Sequence, residues 1–382
     1  MPDNFSIAKK FGELLKEYMA KDEHFYLFSP DETTSNKLDA VYDVASRAWN
    51  LPQESWDLPE AEDGHIVELL SENALFAMMC GHILNGEPAM MTSYESFFSV
   101  ANSQILQQIK FFKQSNAVSW RPKYPAVNLL STSVCWRQDH NGFSHQSPAL
   151  ISTLLALPSN LANCLFPLDD VSAEVMFDFM LNSTNVVNLT TFDKNPLPRY
   201  INKSQAEDAL KNGGALILDD FSDENPEIVF VSAGDIVTRE AAKAIEILRA
   251  DLPDLKVRLV NILALSYNTI GTTENKLSLE QSSKLFGEQI PVIANFHGYP
   301  ETLRSILGSY IETDRLSVHG FMEEGSTTTP FEMLALNGAS RYDLAADAAE
   351  KLGRADLAEK CRKAIKDNHE YAIKNGIDKI EM

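Results

Sequence analysis

Residues 227–263, EIVFVSAGDIVTREAAKAIEILRADLPDLKVRLVNIL, decide the fold class. They read as strand, turn, helix, strand, which is one βαβ unit with parallel pairing expected between its two strands. The strand-to-helix rhythm returns in PVIANFHGYPETLRSIL (291–307) and in RLSVHGFMEEGSTTTPFEMLAL (315–336). From Arg341 the chain reads as charged helix. Upstream, residues 6–20 fit a helix with Ser6 as N-cap and Ile7, Phe11, Leu14, Leu15 and Tyr18 on one face. HFYLFSPDETTSN (24–36) gives a short strand that stops at Ser29-Pro30. GHIVELLSENALFAMMCGHILNG (64–86) gives a strand, a polar turn and a helix with Gly86 near its end. AVNLLSTSV (126–134) and VVNLTTF (186–192) give two more strands. Residues 197–227 are richer in Pro, Gly, Asp and Asn, and the domain boundary is expected there. Both halves are α/β, and no internal repeat, coiled coil or low-complexity tract is present.

A chain of 382 residues is long for a single core, so two domains are expected. The apolar fraction of 44% fits a globular protein. A formal charge of −21 repels a polyanion over most of the surface, which argues against nucleic acid as a partner. A small phosphorylated substrate needs only one local cationic pocket and stays open. No apolar run approaches the ~20 residues of a membrane span. The amphipathic start lacks the apolar core and cleavage site of a signal peptide, so the cytoplasm is expected. Cys80, Cys135, Cys164 and Cys361 match no zinc or redox spacing and read as reduced structural thiols.

Ligands of open parallel sheets bind beyond the carboxyl ends of the strands. CWRQDHNGFSHQS (135–147) sits there, directly after 126–134. Glu72 follows IVELLS and Lys194 follows NLTTF in the same way. Strand-end loops are polar in most proteins, but the density of the 135–147 cluster exceeds what a solvated loop requires. Zinc is disfavoured, because His140 and His145 are five apart rather than at helical spacing. GFSHQ resembles a nucleophile elbow superficially, but Gln146 stands where a second glycine belongs. A histidine adjacent to the serine is also not expected to fold back as its base. SAGDIVTRE carries one glycine and reads as an ordinary βα turn, not a dinucleotide or phosphate loop. EEGSTTTP reads as a capping turn, and His297 of NFHGYP as a histidine hydrogen-bonded in a strand-end turn. General acid–base work beside a bound cofactor is what remains. A buried glutamate at a strand end would titrate away from its ordinary range.

Taken together, SPDETTSNK, LLSEN, TSYESF, WRQDHNGFSHQSP, FDKNP, NFHGYP and EEGSTTTP resemble the phosphoketolases. These are thiamine-diphosphate enzymes related to transketolases. The resemblance runs in order from about residue 20 to about residue 350, and transketolases carry a looser form of the 135–147 loop. It implies two three-layer αβα domains. Residues 1–205 would be a pyrimidine-binding domain with an N-terminal linker helix, and residues 206–382 a transketolase-like C-terminal domain. A complete phosphoketolase is about twice as long in the domain-size sense. Its N-terminal half carries a GDG motif for the diphosphate and Mg²⁺, which this sequence lacks, EDGHI (62–66) being in the wrong context.

The resemblance also assigns roles. Glu72 matches the glutamate that bonds the aminopyrimidine ring and promotes its imino tautomer. Tyr94 and Phe97 match aromatic residues packed on that ring. His140, Asn141 and His145, with Gln138, match the polar wall that faces the sugar and moves protons. Ser35, Lys37 and Lys194 match contacts to the substrate phosphate. The implied reaction splits xylulose 5-phosphate or fructose 6-phosphate with inorganic phosphate, giving acetyl phosphate and an aldose phosphate. Two departures stand out: Lys37 replaces an arginine, losing bidentate phosphate geometry, and Glu87-Pro88 of GEPA stands where a basic, glycine-rich turn is usual. The resemblance implies a catalytic C-terminal half that binds one end of the cofactor and dimerises. An N-terminal half would supply Mg²⁺ and the diphosphate site, without which the chain would be inactive. A non-catalytic remnant or a split transketolase half are the alternatives.

Overall fold

The computed structural model describes residues 4–30, 33–52, 54–57 and 60–381. Asp31 and Glu32 of the SPDETTSNK motif lie outside the described residues. The expected first helix spans Ile7–Met19, and the Ser6 hydroxyl caps it by accepting the Lys9 N–H at 3.3 Å. Its i, i+4 face buries Ile7, Phe11, Leu15 and Met19. Phe11 stacks on Phe192 at 4.7 Å, which anchors the chain just before Asp193 and Lys194.

Two sheets carry the fold. In the larger, the central strands run in the order Ala162–Leu165, Val187–Thr191, Val127–Thr132, Ala89–Tyr94, Tyr26–Ser29, Ile66–Glu68, all parallel. These strands are covered on both faces, and their sequences are correspondingly apolar rather than alternating. A ladder of buried amides crosses three of them. Asn163 Nδ2 donates to Asn188 Oδ1, and Asn188 Nδ2 to Asn128 Oδ1, each at 2.8 Å. Asn128 Nδ2 ends the ladder on the Met180 carbonyl at 3.3 Å. A slip of one residue would turn every amide away from its partner, so the ladder specifies register.

The smaller sheet has the order Ala215–Ile217, Val257–Ile262, Ile228–Ala233, Val292–Phe296, Leu316–His319, with only Ala215–Ile217 antiparallel. The βαβ unit at 227–263 is therefore present, with the helix Asp235–Asp251 between its strands. Gly234 at φ 120° makes the turn; a Cβ there would come within 2.8 Å of His297 Cβ. After Ile262 the chain leaves this sheet. Ala264–Ser266 pairs antiparallel with Ala162–Leu165 of the larger sheet, so one apolar core runs beneath both. Asp169 fixes the crossing segment by accepting the N–H groups of Tyr200 at 2.9 Å and Ile201 at 3.1 Å. Helices Arg341–Lys351 and Ala355–Asn375 close the chain. Among the described residues no helix is long and apolar enough to cross a membrane. The four cysteines are unbridged, three of them buried.

Candidate active site

The strand Ala89–Tyr94 runs into a tight 3₁₀ turn, Glu95–Ala101. This places the Tyr94 and Phe97 rings parallel, with centroids 5.9 Å apart and planes 5° from each other. His145, on the short turn Phe143–His145, stands edge-on to both rings, 5.0 Å from Phe97 and 6.3 Å from Tyr94. Lys194 Nζ lies 5.0 Å from the Tyr94 centroid and donates to Ser133 Oγ at 2.9 Å. The Ser35 hydroxyl is 3.4 Å from the Tyr94 hydroxyl. Ser35, Tyr94, Phe97, His145 and Lys194, spread over 160 positions of sequence, thus form one group at the carboxyl ends of neighbouring strands.

Glu72 opens the helix Glu72–Leu84, whose N-cap Ser71 accepts the Ala74 N–H at 3.3 Å. A carboxylate at a helix N-terminus is favoured by the unpaired N–H groups there. Ser93 Oγ donates to Glu72 Oε1 at 3.5 Å, and Ser93 immediately precedes Tyr94. Half-buried Glu72 is thus tied to the strand that ends in Tyr94. Asn36 knits the strand ends beneath: its Oδ1 accepts from Thr132 Oγ1 at 2.6 Å and its Nδ2 donates to Thr92 Oγ1 at 3.4 Å.

The 135–147 loop divides its labour. Gln138 is buried and braces the loop rather than facing outward. Its Nε2 donates to the Ser133 carbonyl at 2.8 Å, its Oε1 accepts from Asn141 Nδ2 at 2.7 Å, and its own carbonyl accepts from Gln146 Nε2 at 2.7 Å. His140 is exposed, with Nε2 3.3 Å from Asn141 Nδ2. Lys37, at φ 60°, has no hydrogen bond tying its ammonium to the Tyr94 group among the described residues. One sequence expectation fails: Ser144 Oγ lies 2.8 Å from His145 Nδ1, so the adjacent histidine does reach the serine. The turn is a short exposed 3₁₀ turn, not the strand-to-helix elbow of a hydrolase. Sequence reading also missed that EEGSTTTP lies against this loop. Gln146 Nε2 donates to the Ser326 carbonyl at 3.0 Å and the Thr328 N–H to the Asp139 carbonyl at 2.8 Å.

Behind the shelf is a buried polar junction between the two sheets. His297 is fully buried, with Nε2 2.7 Å from Glu95 Oε1, as expected for a structural strand-end histidine. Glu95 Oε2 accepts the Cys135 N–H at 2.7 Å, and Trp136 Nε1 donates to the His297 carbonyl at 2.9 Å. Arg137 Nε donates to Asp193 Oδ2 at 2.8 Å, and the Asp193 N–H to Asp235 Oδ2 at 2.6 Å. Glu95 and His297 are 202 positions apart, so no local spacing announces the pair. Burial, reinforced by the facing Asp193, pushes the Asp235 carboxyl up to about 6. Burial pushes His297 down, but Glu95 and the aspartates outweigh it and hold the imidazole above its ordinary range.

Both shifts act on stability in the same direction. An unfolded aspartate titrates near ~3.9. The folded chain therefore binds the Asp235 proton more tightly, and that stabilisation is full below about pH 4 and is lost as pH rises through about 6. His297 extends the loss above its unfolded value of about 6.5. The unfolding free energy should thus fall by on the order of 2 kcal/mol between about pH 5 and pH 7.5, and the urea midpoint with it. Asp235→Asn should flatten the acidic part of that fall. A midpoint that rises with pH over this interval would refute the assignment.

Comparison with known proteins agrees with the geometry. Residues 9–183 match the family model for D-xylulose 5-phosphate/D-fructose 6-phosphate phosphoketolase, and residues 194–382 match the model for that family's C-terminal domain. A probable phosphoketolase 1 of Nostoc sp. is 35% identical over 98% of this chain and 48% of its own length. A probable phosphoketolase of Bradyrhizobium diazoefficiens is 33% identical with the same coverage. The chain spans about half the length of the curated relatives it matches. Among solved structures, a Pichia stipitis transketolase in complex with sedoheptulose 7-phosphate has a TM-score of 0.70 at 16% identity, over 92% of this chain and 46% of that one. A split-gene transketolase, described as an inactive β4 tetramer, has a TM-score of 0.62 at 15% identity, over 93% of this chain and all of that one. The two-sheet α/β fold is that of the transketolases, and by sequence the chain belongs to the phosphoketolase family.

Proposed function

We propose that this chain supplies the pyrimidine-binding and sugar-facing half of a phosphoketolase site, completed by a diphosphate-binding half. The reaction is cleavage of xylulose 5-phosphate or fructose 6-phosphate by inorganic phosphate. The observation that carries the reading is the grouping of Glu72, the parallel Tyr94 and Phe97 rings, His145 and Lys194 at adjacent strand ends.

These residues fit one end of thiamine diphosphate: a flat aromatic shelf for a ring, and a half-buried carboxylate that would bond a ring nitrogen. When bound, the cofactor supplies the electron sink for breaking a bond beside a carbonyl. Glu72 would hold the aminopyrimidine and the proton it exchanges, while Tyr94 and Phe97 exclude water from its face. His145, held by Ser144, and His140, held by Asn141 and through it Gln138, would move protons at the sugar hydroxyls. Lys194 and Lys37 would neutralise the substrate phosphate, and the Ser35 hydroxyl would donate a hydrogen bond to it. Mg²⁺ would come with the diphosphate half.

Two further features support a partner. The helix Glu72–Leu84 is apolar on nearly every side, yet Met78 and Leu84 on it, with Leu70 before it and Val100 beyond the shelf, are exposed. A face of this kind beside the site suits the diphosphate half and a second copy of this chain. The split-gene transketolase, matched along its whole length, is the precedent for such a half, and its inactive tetramer favours a second reading in which the chain alone is a non-catalytic oligomer.

The test is acetyl phosphate formation, trapped as the hydroxamate, with fructose 6-phosphate, phosphate, Mg²⁺ and thiamine diphosphate. The chain is assayed alone and with a phosphoketolase N-terminal half. Activity only in the mixture is expected. Activity of the chain alone would overturn the half-site reading, and none in a folded, associated mixture would leave the non-catalytic one.

A further inference from the structure

Lys194 is held by more than its ammonium contacts. Asp193, immediately before it, is 1% exposed and makes four hydrogen bonds. Its Oδ1 accepts from both the backbone N–H and the side-chain Nδ2 of Asn195, each at 3.1 Å, closing an Asx turn around Lys194. Its Oδ2 accepts from Arg137 Nε at 2.8 Å, which ties the turn to the start of the 135–147 loop. Its N–H donates to Asp235 Oδ2 at 2.6 Å, across to the first residue of the helix Asp235–Asp251 that follows the strand Ile228–Ala233 of the smaller sheet. Asp235 is itself fixed by the Ile236 N–H on its Oδ1 at 2.6 Å. On the other side, the Lys194 carbonyl accepts from Ser6 Oγ at 3.0 Å. The backbone of Lys194 is thus clamped from the N-terminal helix, the polar loop and the C-terminal sheet.

We infer that Asp193 is a positioning residue for Lys194, through which Asp235 of the C-terminal sheet sets where the Lys194 ammonium stands over Tyr94. A buried carboxylate facing a second carboxylate is costly. Asp193 faces Asp235 there, while a polar turn residue of lower charge would serve a merely structural turn. What the carboxylate adds is a simultaneous grip on Arg137 and Asn195 from the two sides of Lys194. The inference draws on the proposed function only for why Lys194 matters; the geometry is independent of it.

The experiment reads Lys194 directly, in the whole chain and without turnover. Each lysine is acylated with a limiting pulse of N-hydroxysuccinimidyl acetate and quantified by mass spectrometry, with exposed Lys366 as the internal reference. Ser133→Ala removes the ammonium's hydroxyl partner and calibrates a released Lys194. Asp193→Ala should raise Lys194 labelling about fivefold or more over Lys366. Asp193→Asn keeps one oxygen to accept from Asn195 but loses the bond from Arg137, and should release Lys194 part of the way, between the parent and Asp193→Ala. Glu240→Gln weakens the contact of the helix Asp235–Asp251 with the helix Arg341–Lys351 without removing any of these bonds, and should leave Lys194 unchanged, which separates positioning from general loosening. Asp235→Ala provides a second approach from the other sheet and should release Lys194 as well, so either alanine variant decides if the other does not fold. Unchanged Lys194 labelling in a folded alanine variant, or equal release by Glu240→Gln, would overturn the inference. A chain that forms no acetyl phosphate in any mixture can still pass or fail this test.

Discussion

Glu72→Gln should lower acetyl phosphate formation by the reconstituted halves about a thousandfold, within the 10²–10⁴ that a positioned acid–base group contributes. The loss should appear in kcat with little change in KM for the sugar phosphate, because glutamine fills the same space but cannot accept the proton. The fold gives little reason for any other loss. Glu72 is half buried, and its one described side-chain hydrogen bond is a long one, 3.5 Å from Ser93 Oγ. Removing a carboxylate from a helix N-terminus costs about 0.3–1 kcal/mol, so the urea midpoint should barely move. Glu72→Asp keeps the charge but withdraws it by one methylene, and should recover part of the rate. A Glu72→Gln assembly that keeps more than about a tenth of its activity would remove Glu72 from the chemistry.

The strand ends were legible because both signals that mark them are local. An apolar run such as AVNLLSTSV demands burial on two faces, and the polar residues that follow it cannot be buried alongside. Glu72, the 135–147 loop and Lys194 were each found by that abrupt change, and the βαβ unit at 227–263 by its change of period. What was not legible is convergence at long range. Nothing in TSYESF says that Tyr94 and Phe97 lie parallel, or that Lys194 sits over the first of them. His297 reads as a strand-end histidine and Glu95 draws no reading of its own, and only the packing of one sheet on the other makes them a pair. The same holds for Gln138, which reads as a site residue but is used to brace the loop from within. The Ser144–His145 contact was misjudged for a different reason. Neighbours along an extended strand point to opposite faces, whereas in a 3₁₀ turn they are only about 120° apart, and His145 Nδ1 reaches back to Ser144 Oγ.

Glu240→Ala should cost about 3–5 kcal/mol of stability, the range for removing one partner of a buried ion pair. Glu240 is fully buried on the helix Asp235–Asp251. It accepts from the Arg341 backbone N–H at 3.0 Å and from the Arg341 guanidinium at two nitrogens, each at 2.8 Å, with Arg239 at 3.1 Å on the same carboxylate. These bonds hold it below the ordinary carboxylate range against the upward push of burial. Alanine takes the bidentate carboxylate from the largely buried Arg341 guanidinium, and cuts the bond between this helix and the start of the helix Arg341–Lys351. Glu240→Gln retains an acceptor and should cost less, about 1–3 kcal/mol. The decisive comparison is the double replacement of Glu240 by Leu and Arg341 by Met. It removes the carboxylate together with Arg341, its bidentate partner, and part of the loss should return, since a buried pair repays little more than its own desolvation. Urea midpoints of the single and double variants measure this. A double variant no more stable than Glu240→Ala would mean that the pair shapes the helix contact itself, rather than only satisfying charges that the fold has buried.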